Sequence, residues 1–374
     1  MLYRKTYLEV NLDLFHQNVK AILETAFTDF CFVLKANAYG HGMVVVAREL
    51  NQYPAIKIIA VATLNEALKI KKITNKKILI LGVLSDDLLA IALKNNFLLT
   101  VFSLKQAKKI NHLGKATIFI KVDTGFHRLG KTPNSAFIEE IKRIDSLPNI
   151  DILGVYSHLR LVASKTDALQ SQLFTDFCNQ LKTKGINFKY NSLLDSIALT
   201  RYPTFPSSLP RIGSLMFGLT AVKEKNKIRV QPIQTLKTTV TNIINLSDGN
   251  FGYSSKTYPN IKTIATLEIG YADGLPRNIG DKSYVVINNH HCDIIGLLSM
   301  DQLSIDITNQ NVLIGDSAII FGGKGITLEA LSNRLKTNKN ELISKISVRV
   351  PKVYLKENKV KYILDETVGE LDEY

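Results

Sequence analysis

The run Phe30-Cys31-Phe32-Val33-Leu34-Lys35-Ala36-Asn37-Ala38-Tyr39-Gly40-His41-Gly42 passes from an apolar segment through one lysine into small residues and two glycines. Its apolar part is short and sharply bounded, which predicts a buried strand over Phe30–Leu34. Lys35 then closes that strand. An amine held at such a place loses solvation, which lowers its pKa and favours the neutral nucleophile that Schiff-base chemistry requires. A lysine at a strand end is more often a surface residue with a buried stem, so its neighbours decide its meaning.

Outward from this run the pattern repeats. Short apolar runs at Ile56–Val61, Ile78–Gly82, Phe97–Val101, Thr117–Val122, Asp151–Tyr156, Phe188–Ser192 and Ile212–Phe217 read as further strands. Amphipathic stretches at Asn65–Lys72, Asp86–Lys94, Leu104–Leu113, Ser135–Ser146 and Leu169–Lys184 lie between them. Strands alternating with helices predict an α/β fold with a parallel sheet. At this spacing they predict a closed (β/α)8 TIM-like barrel rather than an open doubly wound sheet, since no glycine fingerprint opens the first helix.

Past Val222 the rhythm changes. Short strands with Gly and Asn punctuation follow at Ile228–Leu246, Ile261–Glu268, Tyr284–Ile287, Ile294–Leu298, Leu303–Ile307 and Ala318–Phe321, with helical pieces at Thr327–Leu335 and Glu341–Ile346. The chain therefore divides into a barrel, 1–225, and a mostly β C-terminal domain, 226–374, with residues 6–12 expected as a strand joining the second domain. His290-His291-Cys292 reads as a turn in that domain, and the acidic tail Asp365–Tyr374 is expected to fray.

The chain has 374 residues, 45% apolar and 21% charged, ordinary values for a globular protein of one or two domains. A formal net charge of +14 invites a nucleic-acid reading. The lysines are scattered, though, in isolated pairs such as Lys71-Lys72, Lys76-Lys77 and Lys108-Lys109, with no interleaved aromatics. That is the pattern of solvated helix faces, and no nucleic-acid partner is expected. The basicity suits an anionic substrate or cofactor. Three widely spaced cysteines form no C-x-x-C pair and fit reduced thiols. No signal peptide and no membrane span are read, so a cytoplasmic location is expected.

In a barrel, catalytic residues gather where strands end. Lys121-Val122-Asp123-Thr124-Gly125 with His127-Arg128 ends one predicted strand, Ser157-His158 ends another, and Arg211-Ile212-Gly213-Ser214 opens the last. All of these would face the same rim as Lys35.

The stretch Val33–Gly42 resembles the pyridoxal-phosphate attachment motif of the alanine racemase family. The likeness continues in order through Lys121–Gly125, Ser157-His158, Asp195-Ser196, Pro210–Gly213, Gly252-Tyr253, Gly270-Tyr271-Ala272-Asp273-Gly274, Ser299-Met300-Asp301 and Arg349-Val350-Pro351. The resemblance implies a racemase interconverting L- and D-alanine, supplying D-alanine for cell-wall peptidoglycan. It implies a head-to-tail homodimer in which the β domain completes the partner subunit's active site. Lys35 would hold pyridoxal 5'-phosphate. Tyr39, Ser196 and the backbone at Gly213 and Ser214 would bind its phosphate, and Arg128 and Met300 the substrate carboxylate. Lys121 aligns with a lysine that can be carbamylated in the family. Tyr271, Arg160 and Leu297 fall at the gate.

Racemisation removes a proton from one face of Cα and delivers one to the other, which two bases do most simply. By resemblance these are Lys35 and Tyr253 of the other subunit. An unperturbed tyrosine titrates near 10, so it needs cationic or donor neighbours, here His158 and Arg211. Arg211, in the family's pattern, faces the pyridine nitrogen of the cofactor. A donor-only guanidinium there keeps that nitrogen unprotonated and limits side reactions.

Four positions depart from the pattern. Asn340 stands where the family has a tyrosine that narrows the pocket and supports the phosphate end. Leu297 replaces an arginine, Leu159-Arg160-Leu161-Val162 replaces small residues and an Asp, and Asp195 replaces an Asn. None touches Lys35, Tyr253, Arg211 or His158, so the chemistry is expected intact and the substrate breadth altered. A serine or broad small-amino-acid racemase is the nearest alternative, and a non-catalytic pyridoxal-phosphate-binding protein the alternative of another class. A barrel decarboxylase or a metal-assisted lyase would need cysteine or His/Cys clusters that the sequence lacks, and no metal is expected.

Overall fold

The computed structural model describes residues 2–219, 228–253 and 255–374. Eight parallel strands, Phe30–Val33, Ile56–Val61, Lys77–Ile80, Leu98–Val101, Ala116–Lys121, Ile150–Tyr156, Tyr190–Ser192 and Arg211–Ile212, form one sheet in which the first seven pair with their neighbours in chain order. The last pairs with the first, Arg211 beside Cys31. The ring closes where Asp195 and Arg211 form a parallel bridge and the Arg211 amide donates to the Leu194 carbonyl at 2.9 Å. The fold is a TIM-like barrel followed by a mostly β domain.

Alternation along the strands sorts the side chains into two apolar cores. Cys31, Val33, Ile58 and Ala60 point into the barrel with Leu79, Leu98, Phe119 and Tyr156. Their sequence neighbours Phe30, Phe32, Ile59 and Val61 point outward and pack under the helices. This two-residue period lets strands buried on both faces read as continuous apolar runs.

A ten-stranded sheet forms most of the second unit. The N-terminal strand Tyr7–Asn11 lies inside it, antiparallel to Gln234–Asn245 and parallel to Lys352–Lys356. The two ends of the chain are therefore woven into one sheet. The expected division at 225/226 falls among residues 220–227, outside the described residues.

Several elements differ from expectation. The eighth strand is only Arg211–Ile212, and Ser214–Phe217 forms a 3₁₀ turn. The Ser196 hydroxyl accepts the Gly213 and Leu215 amides at 2.9 and 3.3 Å, which takes those donors out of the sheet. His290-His291-Cys292 belongs to the strand His290–Ile295. The turn before it is Asn288-Asn289, both at positive φ, the two-residue hairpin geometry that asparagine tolerates. The acidic tail is paired, with Glu370–Glu373 antiparallel to Lys359–Asp365. The Leu169–Lys184 helix begins earlier and spans Ser164–Thr183. Among the described residues no helix is long and apolar enough to cross a membrane. No group of three His, Cys, Asp or Glu there could hold a metal.

Candidate active site

Beyond Val33 the backbone turns the wrong way round. Ala36, Asn37, Ala38 and Tyr39 all hold φ between +53 and +55, and Gly40 follows at +82. A left-handed turn costs roughly 1–2 kcal/mol for each residue with a Cβ, so it persists only where outside contacts impose it. The Ala36 amide donates to Glu66 Oε1 at 2.7 Å, while Asn37 Nδ2 donates to Glu366 Oε2 at 2.7 Å. Asn37 Oδ1 accepts the Met43 amide at 2.9 Å, and the Tyr354 hydroxyl donates to the His41 carbonyl at 2.7 Å. The turn sets Lys35 and Tyr39 on the barrel rim.

Both residues line one cavity of about 400 Å³ at the C-terminal mouth of the barrel. Ser196, Gly213, Ser214 and Asn340 line its one flank, and Lys121, Arg128, His158 and Arg211 the other residues of interest. The Tyr39 hydroxyl approaches Gly213 so closely that a Cβ there would lie 2.2 Å from it. Only glycine leaves that space. Arg128 lies over the Phe126 ring at 4.4 Å, and Phe126 meets the edge of His158 at 4.9 Å.

Arg211 is buried and held rigidly. Nη1 donates to the Ser192 carbonyl and hydroxyl, each at 2.7 Å, and Nη2 to the Ser157 carbonyl at 2.7 Å and His158 Nδ1 at 3.4 Å. Its Nε–H is the donor left without a partner among the described residues, and the side chain borders the cavity. An arginine so placed offers one fixed donor to an acceptor and takes nothing in return.

The cations act on one another. Burial, then Arg211 and Arg128, drives His158 down to about 2, so it stays neutral and accepts from Arg211 at Nδ1. Its Nε2 faces Asp195 Oδ2 at 3.7 Å. Burial, then Arg211, lowers Lys121 to about 7, and its amine donates to the Val122 carbonyl at 2.6 Å. Lys35 is lowered chiefly by burial and then by Arg128. Burial pushes Tyr39 up to about 12 and Tyr156 to about 12, where both remain protonated.

The other candidate residues stand elsewhere. Tyr253, Tyr271, Leu297 and Met300 are exposed on the β domain, Tyr253 by 71%. Tyr271 and Met300 are neighbours there, since the Tyr271 amide donates to the Ser299 carbonyl and the Ala272 amide to that of Met300. Arg160 is exposed on the loop after His158, its amide bonded to Gln170. None of these five lines the cavity. Asp195, a departure from the expected Asn, keeps a capping role by accepting the Ala198 amide at 2.8 Å.

Tyr156 was not singled out in the sequence. Its ring lies 5.3 Å from the Lys121 amine and 5.2 Å from the Arg211 guanidinium, a π-face between the two groups. An aromatic closing the Ile150–Tyr156 strand was the signal. Glu66 and Glu366 were missed as well, because nothing local marks a distant carboxylate as a brace.

Residues 10–221 match the family model described as alanine racemase, N-terminal domain, and residues 233–354 the one described as alanine racemase, C-terminal domain. An alanine racemase of Desulforamulus reducens is 34% identical over 363 residues, spanning 93% of this chain and 98% of that relative. The solved structure of an alanine racemase from Clostridium difficile 630 superimposes with a TM-score of 0.93 at 29% identity, over 98% of this chain and 99% of that one. An alanine racemase from Bacillus anthracis with bound L-Ala-P gives 0.91 at 28% identity, over 98% and 99%.

Proposed function

The chain belongs to the alanine racemase family, and from that premise we propose that it interconverts L- and D-alanine with pyridoxal phosphate as cofactor. The bases are Lys35 and Tyr253 of the partner subunit in a homodimer. The product serves cell-wall peptidoglycan in the cytoplasm, which the three unpaired cysteines suit.

One observation carries the reading. A single cavity brings together a lysine of lowered pKa, a neutral histidine and an arginine with one spare donor. That donor set fits the cofactor: Nε–H of Arg211 suits a ring nitrogen that stays an acceptor. The Ser196 hydroxyl, already accepting two amides, keeps its own proton to donate to a phosphate oxygen. Tyr39 and the backbone at Gly213 and Ser214 flank the same place. Pyridoxal phosphate, when bound, supplies the electron sink that lets an α-hydrogen leave as a proton.

Lys35, its amine made less basic by burial, takes that proton on one face of Cα. A second base must stand opposite. Tyr39 and Tyr156 are shifted the wrong way for the task. Tyr253, exposed on the β domain, would enter another subunit's cavity beside the His158–Arg211 pair. Arg128, with the Met300 amide of the partner, would hold the substrate carboxylate. Lys121, titrating near 7, has the neutral amine that adds carbon dioxide and loses a proton, giving an anionic carbamate to face Arg128.

A second reading concerns breadth. Asn340 borders the cavity, and its buried Oδ1 has no hydrogen-bond partner. A substrate hydroxyl would satisfy it, which favours acceptance of serine beside alanine. Exchange of the α-hydrogen in deuterated water, followed by NMR over a panel of L- and D-amino acids, tests both. Alanine should exchange and invert, and serine should follow more slowly. Exchange of neither, with cofactor bound, contradicts the proposal.

A further inference from the structure

Glu366 lies in the turn after the Lys359–Asp365 strand, 329 residues from Asn37, yet the two side chains meet. Its carboxylate gathers three donors: Asn37 Nδ2 at 2.7 Å, Lys69 Nζ at 2.5 Å and Lys352 Nζ at 3.2 Å. Lys352 is wholly buried and Glu366 nearly so. A buried cation is tolerable only with a partner, so Lys352 fixes Glu366 and Glu366 fixes Asn37. Asn37 in turn sits in the middle of the left-handed turn and accepts the Met43 amide through its other amide atom. The asparagine is thus gripped from both sides.

We propose that Glu366 is a positioning residue: the C-terminal hairpin, through Glu366 and Asn37, holds the left-handed turn that aims Lys35 and Tyr39 into the cavity. The proposal rests on the reading of Lys35 as the cofactor-bearing base. The turn has an intrinsic drive to unwind, and its internal bonds alone, such as Gly40 N–H to the Ala36 carbonyl, follow the backbone wherever it goes. The external braces are what select this conformation. Glu66 anchors its first residue and Glu366 its second. The tail of the chain therefore acts on the reacting amine without touching it.

Two variants test this in the full-length dimeric enzyme. Glu366→Gln removes the charge and leaves the buried Lys352 without its ion pair, so it costs stability for that reason alone. Asn37→Gly removes both amide contacts while keeping a residue that adopts positive φ freely, and it leaves the ion pairs whole. Asn37→Gly should lower kcat per bound cofactor by about tenfold to a hundredfold, the scale of a misplaced reacting group, with a smaller change in KM. In the cofactor-free protein it should speed amide hydrogen exchange at Ala38, Gly40, Gly42 and Met43, a readout independent of activity. Unchanged kcat per bound cofactor with unchanged exchange would overturn the proposal. So would a lowered melting temperature with kcat intact, which is what a merely structural role gives. Borohydride fixation of the cofactor to Lys35, lost in Lys35→Ala, checks the underlying reading separately.

Discussion

Gly40 and Gly252 both hold a positive φ, +82 and +56, yet their surroundings differ completely. A Cβ at Gly40 would lie 2.2 Å from the Ile343 carbonyl oxygen, whereas one at Gly252 would meet nothing within 4 Å among the described residues. The first glycine ends the turn that carries Lys35. The second precedes Tyr253, exposed on its loop. Around Lys35 the backbone is strained and braced by Glu66, Glu366 and Tyr354. Around Tyr253 the chain is open. The contrast teaches that this fold fixes Lys35 by internal contact and leaves Tyr253, the second base in the proposed reading, on a surface.

The comparison breaks most visibly at Tyr253. Tyr253→Phe keeps the ring and removes the acid–base group, so racemisation should fall by about 10²–10⁴-fold. Lys35 would still exchange the α-hydrogen of one enantiomer in deuterated water without inverting it. Full racemisation by this variant would show that the exposed loop takes no part.

A smaller effect separates the two glycines directly. Gly40→Ala combines a left-handed alanine with a collision against backbone and should cost about 2–5 kcal/mol, read from urea denaturation. Gly252→Ala carries only the conformational part, about 1–2 kcal/mol. Equal losses would mean that the rim is no more tightly packed than the loop.

The last effect is a pH slope, spread over more than two pH units. His41, on the braced side, stacks on Phe217 at 4.2 Å, and burial holds it down to about 4. A folded pKa below the unfolded one gives stability present above the unfolded value and lost as pH falls. The window runs from the ordinary histidine value of about 6.5 to 4, and the loss is at most about 3 kcal/mol. His41→Gln should flatten that slope in urea midpoints taken at several pH values. An identical slope would show that the histidine is already charged in the fold.

Much of the barrel was legible because its strands are buried on both faces and its rim residues interrupt apolar runs. Lys35, Lys121, His158 and Arg211 each break such a run, and the cavity collects all four. The left-handed turn was not legible. Its conformation is set by Glu366 and Tyr354, both from the far end of the chain, and no local pattern announces them. The C-terminal hairpins were missed because Lys359-Val360-Lys361-Tyr362 alternates charge with apolar residues and Glu357-Asn358 turns at positive φ without a glycine. The eighth strand was overextended because Ser196, remote in sequence, diverts the amides beyond Ile212.

In the proposed reading Lys35 of one chain works with Tyr253 of another. Mixing the inactive variants Lys35→Ala and Tyr253→Phe, with subunit exchange, tests it most directly. In a two-fold dimer with shared sites, half the random pairs are mixed and each has one intact site, so about a quarter of wild-type racemisation should return. If the mixed sample stays as inactive as its parents although mixed dimers are present, the two residues do not act across subunits.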